Sequence, residues 1–312
     1  MRLRAWLYAN GWLEQERLKG TVISVGNLTV GGTGKTPMVI WLADKFLAEG
    51  KSVAILSRGY RGSGSTSDEI ELMKRRLCGR VQFGVGRDRI AEGRKMESEG
   101  IDLFLLDDGF QHLRLARDVD IVLLDATRPL DKELVLPAGR FREPRAALER
   151  AHMVVFTRSE QAKPRIEAIE RFPAIARYSS TTKLLGFRRH GEPDTEPLRQ
   201  LGPEPVFAFC GIGNPEAFWD DLARWGLKVV GRKAFRDHHR YTRREIQALE
   251  REAELRGAAT LVTTEKDAEN LDVTFLPRMP VHAAVIALEI PEEARFLREL
   301  QERLKVRRGV AA

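Results

Sequence analysis

This sequence predicts an α/β fold: a parallel sheet covered by helices on both faces, with a second, smaller α/β domain across a cleft. Three observations lead there. From Thr21 onward, short continuous apolar runs alternate with helix-patterned segments, the signature of strands buried on both faces. Polar clusters recur at the carboxyl ends of those runs, where open α/β sheets bind ligands. The first run also leads through a glycine-rich turn straight into Lys-Thr and a helix.

The elements follow in order. Residues 1–20 mix Leu3, Trp6, Leu7 and Leu13, all on one helical face, with Arg2, Arg4, Arg17 and Lys19. That composition suits a helix lying in a membrane interface, or equally a terminal helix packed on its own domain. A strand over Thr21–Val25 and a helix from Met38 to Leu47 flank the glycine turn. Further strands are predicted at Val53–Leu56, Val81–Val85, Leu103–Leu106, Asp120–Asp125 and Met153–Thr157, with helical patterns at Arg87–Glu99 and near Arg145–Arg150. Around Tyr178 to Pro205 the pattern turns polar, proline-containing and weakly β-like, which places a hinge at 179–205 and divides the chain into residues 1–178 and 179–312. The second part reads as strand Val206–Phe209, a helix through Trp225, strand Lys228–Gly231, helix Thr242–Arg256, strands Thr260–Thr264 and Val281–Leu288, and a helical tail after Pro291. Gly211-x-Gly213 lacks the third glycine of a dinucleotide fingerprint and reads as a tight turn and helix cap.

Composition narrows the function classes. The 312 residues are 43% apolar and 31% charged, enough for a sizeable core. Two distant cysteines, Cys78 and Cys210, argue against a disulfide framework or zinc site and for a reducing compartment. A net charge of +7 favours an anionic partner, and dispersed arginines make nucleic acid the weakest choice. No apolar stretch reaches membrane-spanning length, and no cleavable signal peptide is visible.

The stretch from Val25 to Pro37 carries the chemistry. Gly31, Gly32 and Gly34 let backbone N–H groups converge on an anion, and the helix N-terminus adds partial positive charge. Lys35 can reach the β- and γ-phosphates of a nucleoside triphosphate, and the Thr36 hydroxyl can hold Mg²⁺. The layout is that of a P-loop NTPase, with Thr29 standing where the usual motif has glycine. Asp107 and Asp108 end an apolar run, as a metal-side carboxylate should, though an Asp-Asp-Gly turn is the alternative. His112 suits a phosphate contact or a helix cap. Asp68-Glu69 could supply a base or simply start a helix. Arg140 and Arg142 suit an anionic substrate or a solvated surface. In Asp237-His238-His239, adjacent histidines point apart, so a base partner or substrate contact is favoured over zinc. Thr263-Thr264-Glu265-Lys266-Asp267 lacks the asparagine of a guanine-reading loop.

Together these clusters resemble the tetraacyldisaccharide 4'-kinase family of lipid A biosynthesis. The resemblance is carried by Val25 through Pro37, Ser57-Arg58-Gly59-Tyr60, Asp107 through His112, Leu136-Pro137-Ala138-Gly139, Arg142-Glu143-Pro144, Cys210 through Pro215 and Phe235 through Tyr241, in the family's order across roughly residues 1–290. The family shares the Thr29 departure. The resemblance implies an ATP- and Mg²⁺-dependent kinase that phosphorylates the 4'-hydroxyl of tetraacyldisaccharide 1-phosphate, a lipid A precursor, to give lipid IVA. It implies that Asn27, Thr29, Gly31, Gly32, Thr33, Gly34, Lys35 and Thr36 hold the nucleotide. Thr36, Asp107, Asp108 and Glu143 fall on the metal side. Asp68 is the implied base, and His238 its implied partner, tuning its basicity; pairing with His238, or desolvation on closing, is expected to place the Asp68 pKa nearer the working pH. Arg58, Tyr60, Gln111, His112 and Arg142 are implied to line the phosphate and substrate site. This chain has Ser67 where the family commonly has glycine. The expected protein is a monomer, peripheral on the cytoplasmic face of the inner membrane of a Gram-negative-type bacterium. The family's apolar stretch upstream of Arg4–Tyr8 is expected to be reduced here or to lie before Met1. The rival expectation is a regulatory GTPase or metallochaperone ATPase.

Overall fold

A computed structural model describes residues 2–59, 67–128, 134–192, 196–272 and 277–307. In chain order the elements are α1 (Arg2–Ala9), β1 (Thr21–Asn27), α2 (Lys35–Ala48), β2 (Val53–Ser57), α3 (Asp68–Leu77), β3 (Gln82–Val85), α4 (Arg89–Glu97), β4 (Leu103–Asp107), β5 (Val119–Asp125), β6 (Met153–Thr157), β7 (Ala176–Ser179) and β8 (Thr181–Arg189). Then come β9 (Val206–Cys210), α5 (Pro215–Arg224), β10 (Val229–Ala234), α6 (Arg243–Leu255), β11 (Thr260–Thr264), α7 (Glu265–Ala268), β12 (Val281–Glu289) and α8 (Glu293–Arg307). Residues 145–150, expected to be helix-like, form a 3₁₀ turn.

The chain divides into two compact units. Met1–Ser65, Arg76–Thr182 and Leu288–Ala312 make the first; Thr66–Arg75 and Lys183–Ala287 make the second. This differs from a single cut after residue 178. The tail returns to the first unit because Phe296 on α8 is fully buried there, with its ring edge against Trp41 at 5.4 Å and Tyr178 at 5.0 Å. The segment carrying Asp68 joins the second unit.

The first unit is a seven-stranded sheet of order β3-β2-β4-β1-β5-β6-β7, and every pairing is parallel. All residues of β2, β4, β5 and β6 are buried, as continuous apolar runs require when helices cover both faces. Alternate residues feed two cores. Val22, Ala54, Leu56, Phe104 and Leu106 pack on one, and Leu28, Phe110, Val122, Phe141, Val154 and Phe156 on the other. Because β1 lies between β4 and β5, its carboxyl end opens where the chain's crossovers diverge to the two sides of the sheet.

The second unit holds a five-stranded sheet of order β10-β9-β11-β12-β8, in which β10-β9, β9-β11 and β11-β12 are parallel. Its helix α6 starts on a capping box: Thr242 accepts from the Glu245 amide while the Glu245 carboxylate accepts from the Thr242 amide.

The N-terminal helix is shorter than its apolar pattern. It stops at Ala9, with Gly11 in a left-handed turn at φ 72°, so Leu13 lies beyond the helix instead of on its face. Trp6 and Trp12 stay 53% and 72% exposed. Among the described residues, no helix is long and apolar enough to cross a membrane.

Candidate functional site: an anion-binding loop and a carboxylate–histidine pair

The first cluster lies at the carboxyl end of β1. Gly34 caps α2 with φ 83°, and Gly31 adopts φ 104°, conformations that disfavour any residue with a Cβ. Lys35 and Thr36 form the first turn of α2, where amides lack intrahelical partners. Within β1, just before the loop, Gly26 admits Phe110: a Cβ on Gly26 would fall 2.5 Å from Phe110 Cβ. Asn27 is fully buried and its amide nitrogen donates to Thr33 Oγ1 at 2.9 Å, so it braces the loop across its base. Gln111 donates to the Asn27 carbonyl at 2.9 Å. Thr29 forms an isolated antiparallel bridge with Phe141.

Lys35 Nζ lies 3.6 Å from Asp108 Oδ1, and Arg142 Nη1 donates to both Asp108 oxygens at 2.7 and 2.6 Å. Asp108 itself sits in the left-handed region, φ 49°, and buried Arg89 donates to its carbonyl at 3.2 Å. Burial alone pushes the Asp108 carboxyl up. Lys35 and Arg142 outweigh that, with help from Arg89, and hold it below the usual carboxylate value. Asp107 is buried at the end of β4 and accepts from Ser57 Oγ at 3.3 Å.

Glu143, expected on the metal side, is buried with both oxygens accepting from Arg150 Nη2 at 3.0 Å, so it is committed to an ion pair. His112 cannot be a helix cap, because no helix follows it. Burial, followed by Arg89 and Arg117, lowers its pKa to about 4, leaving it neutral. Arg58 is exposed directly after β2. Tyr60 lies outside the described residues.

The second cluster belongs to the second unit. Asp68 opens α3, and His238 Nδ1 contacts its two oxygens at 3.0 and 2.9 Å. Asn270 donates to Asp68 Oδ2 at 3.1 Å. Lys266 completes the array, with Nζ 3.3 Å from Glu69, 3.5 Å from Asp237 and 4.0 Å from Asp68. Its Nζ is also 3.4 Å from His238 Nε2, which it can reach as a donor; Nδ1 then carries the proton toward Asp68. Burial pushes the Asp68 carboxyl up, but His238, then Lys266, prevail and lower it. The Asp68 bond raises the His238 pKa against burial and Lys266. This corrects the expectation that pairing moves Asp68 toward neutral pH: a donor stabilises the carboxylate, so its pKa falls.

The two adjacent histidines have different partners. His239 stacks on Phe235 with centroids 4.6 Å apart and reaches Glu245 at 3.1 Å. Asp267 accepts from the Gly211 amide, Tyr241 OH and Thr264 Oγ1 at 2.8, 2.8 and 2.6 Å, so it ties the turn at Gly211 to the segment just after His238. Lys266, Asn270 and Arg89 carried no sequence signal of their own; Lys266 lay in a segment legible only as a failed guanine loop.

Fold and loop together define a P-loop protein of the α/β class, with a glycine-rich turn leading into α2 and Lys35 and Arg142 gathered on Asp108. The profile of the tetraacyldisaccharide-1-P 4'-kinase family matches residues 1–305. A tetraacyldisaccharide 4'-kinase of Geobacter sulfurreducens is 40% identical over 308 residues, covering 92% of this chain and 85% of that one. One of Syntrophobacter fumaroxidans is 38% identical, covering 95% and 83%. The crystal structure of LpxK from Aquifex aeolicus in complex with ATP aligns with a TM-score of 0.74 at 30% identity, over 97% of this chain and 94% of that one. This chain belongs to the tetraacyldisaccharide 4'-kinase family.

Proposed function

We propose that this protein transfers the γ-phosphate of ATP to the 4'-hydroxyl of tetraacyldisaccharide 1-phosphate. The observation carrying the reading is the Lys35–Asp108–Arg142 cluster beside the glycine loop, in a chain whose relatives bear that activity in their names. Phosphoryl transfer asks mainly for positioning and charge neutralisation. The loop amides and Lys35 neutralise the γ-phosphate, and Arg142 adds a second cation. Asp68 takes the proton of the sugar hydroxyl as its oxygen bonds to phosphorus; the bond to the bridging oxygen breaks, and ADP leaves. His238 orients Asp68, and Arg58, Gln111 and His112 line the substrate site.

The donors near the loop suit Mg²⁺. Thr36, Asp107 and Asp108 offer oxygen only, and magnesium in such sites takes one or two protein carboxylates alongside substrate phosphates. Bound there, magnesium supplies positive charge to the phosphate oxygens. Asp108 and Thr36 hold it in this reading, with Asp107 beside them, and Glu143 serves through Arg150 as support.

Membrane contact on the cytoplasmic face of the inner membrane fits the exposed Trp6 and Trp12 and the net charge of +7, since the substrate is an acylated anionic lipid. The test is transfer of labelled γ-phosphate from ATP to the lipid disaccharide in vesicles. Labelled lipid is expected; ATP hydrolysis without it would return the reading to a switch ATPase or GTPase.

A further inference from the structure

The end of β6 grips the outer side of the glycine loop. Thr157 Oγ1 donates to the Thr33 carbonyl at 3.2 Å, and Arg158 Nη1 donates to the Gly32 carbonyl at 3.2 Å. Arg158 is itself fixed. The same nitrogen lies 2.6 Å from Asp125 Oδ2 at the end of β5, and Asp125 accepts from Thr127 Oγ1 at 2.6 Å and the Thr127 amide at 3.1 Å. Asp125 is 3% exposed at the side chain and Arg158 15%, so the bridge is largely shielded from water. Arg158 holds φ 57°, a left-handed conformation costly for a residue with a Cβ.

A trans peptide points its C=O and the following N–H in opposite directions. Fixing the Gly32 and Thr33 carbonyls toward β6 therefore turns the Thr33 and Gly34 amides away from β6. The other limb of the loop is tied separately: the Val30 amide donates to the Arg140 carbonyl at 2.9 Å, and Arg140 Nη2 donates to the Val30 carbonyl at 3.0 Å. Both limbs are thus held before any anion arrives.

We propose that Thr157 and Arg158 are positioning residues that pre-organise the Thr33 and Gly34 amides for the phosphates. The inference rests on the reading of this loop as a triphosphate site. Pre-organised donors cost no reorganisation when charge arrives, so loosening them weakens anion binding even though neither side chain touches the anion.

Titration calorimetry with ATP and with inorganic tripolyphosphate tests this on the full-length protein. Thr157→Val keeps the shape and removes only the donor. Arg158→Ala removes the bridge, and Arg158→Lys keeps its charge. Thr157→Val and Arg158→Ala are expected to weaken both ligands alike, by about tenfold, the size of one lost hydrogen bond. Arg158→Lys should recover part of the loss, and thermal midpoints should not track the affinities. Three results would overturn the proposal: Thr157→Val binding as wild type does, affinity loss that scales with the thermal midpoint, or Arg158→Ala weakening ATP alone, which would make Arg158 a nucleoside contact. Wild-type protein that binds neither ligand would instead remove the triphosphate reading itself.

Discussion

Replacing His238 by alanine removes one imidazole N–H that contacts both oxygens of Asp68 at 2.9 and 3.0 Å. A hydrogen bond to a charged group contributes about 1.5–3 kcal/mol. At about 1.36 kcal/mol per decade of rate, the full loss corresponds to roughly 10- to 150-fold in turnover. The imidazole is 30% exposed, so water can partly replace it, and Asn270 and Lys266 still face Asp68. The expected fall in kcat is therefore about 10- to 40-fold, the lower part of that range. The pH dependence gives an independent reading. His238 is the strongest of the groups that lower the Asp68 pKa, so its loss lets burial raise that pKa. The acid limb of kcat/KM, which reports the ionisation of the free enzyme's base, moves to higher pH in His238→Ala. His238→Gln, whose amide can still donate, falls between the two in rate. The assay is transfer of labelled phosphate from ATP to the lipid disaccharide across a pH series, with ATP affinity measured alongside. Turnover within about twofold of wild type and an unmoved acid limb would refute the reasoning.

Asp108→Asn should lower turnover by about two orders of magnitude, since it removes a carboxylate from the metal side of the phosphates. Without divalent metal, however, it should bind ATP at least as tightly as wild type, because Lys35 loses the anion 3.6 Å away that competes with phosphate; weaker binding in EDTA would contradict this. Gly26→Ala forces a Cβ to within 2.5 Å of Phe110 Cβ and 2.8 Å of its backbone nitrogen. Overpacking of this kind costs about 1–3 kcal/mol, visible as a shifted denaturant midpoint, and the strain falls on the strand that ends in the loop. The Asp68–His238 pair should stabilise the fold over a bounded pH window. The lowered carboxyl contributes above its ordinary value of 3.8 and loses that contribution as pH falls through its folded pKa. The raised imidazole contributes fully below 6.5 and is lost as pH rises through its folded pKa. Calorimetric midpoints of wild type and Asp68→Asn should differ most between those values; a constant difference across pH would count against the pair.

The parallel sheet was legible because strands buried on both faces must be continuously apolar, and nearly every run from Val22 to Phe156 became a strand. The glycine loop was legible because only glycine suits φ 83° and φ 104° beside Lys35. Long-range pairing was not. Nothing local to Asp68 says that His238, 170 residues away, will meet it, and the family resemblance alone supplied that pair. Lys266 and Asn270 escaped for the same reason. Domain membership escaped too: the tail is helical in pattern, but its place depends on where Phe296 finds Trp41 and Tyr178. The N-terminal pattern overran its helix because periodicity counts apolar spacing and does not register that Gly11 adopts φ 72°.

Backbone strain marks the chemistry independently of the motifs. Four described residues other than glycine have positive φ: Cys78, Asp108, Arg158 and His238. Cys78 merely ends α3. Each of the other three is held by partners that over-determine it. Arg89 takes the Asp108 carbonyl while Arg142 takes its carboxylate. Asp125 and Gly32 fix Arg158. The His238 amide donates to the Gly211 carbonyl at 3.0 Å while its ring meets Asp68. A left-handed residue costs about 1–3 kcal/mol and persists only where its surroundings enforce it. Asp108 and His238 belong to the proposed phosphoryl-transfer machinery, and Arg158 reaches the loop proposed to bind the phosphates. Strain placed there and almost nowhere else among the described residues argues that the surroundings are built to aim these side chains, since relaxing any one of them to an ordinary backbone would swing its polar group out of reach.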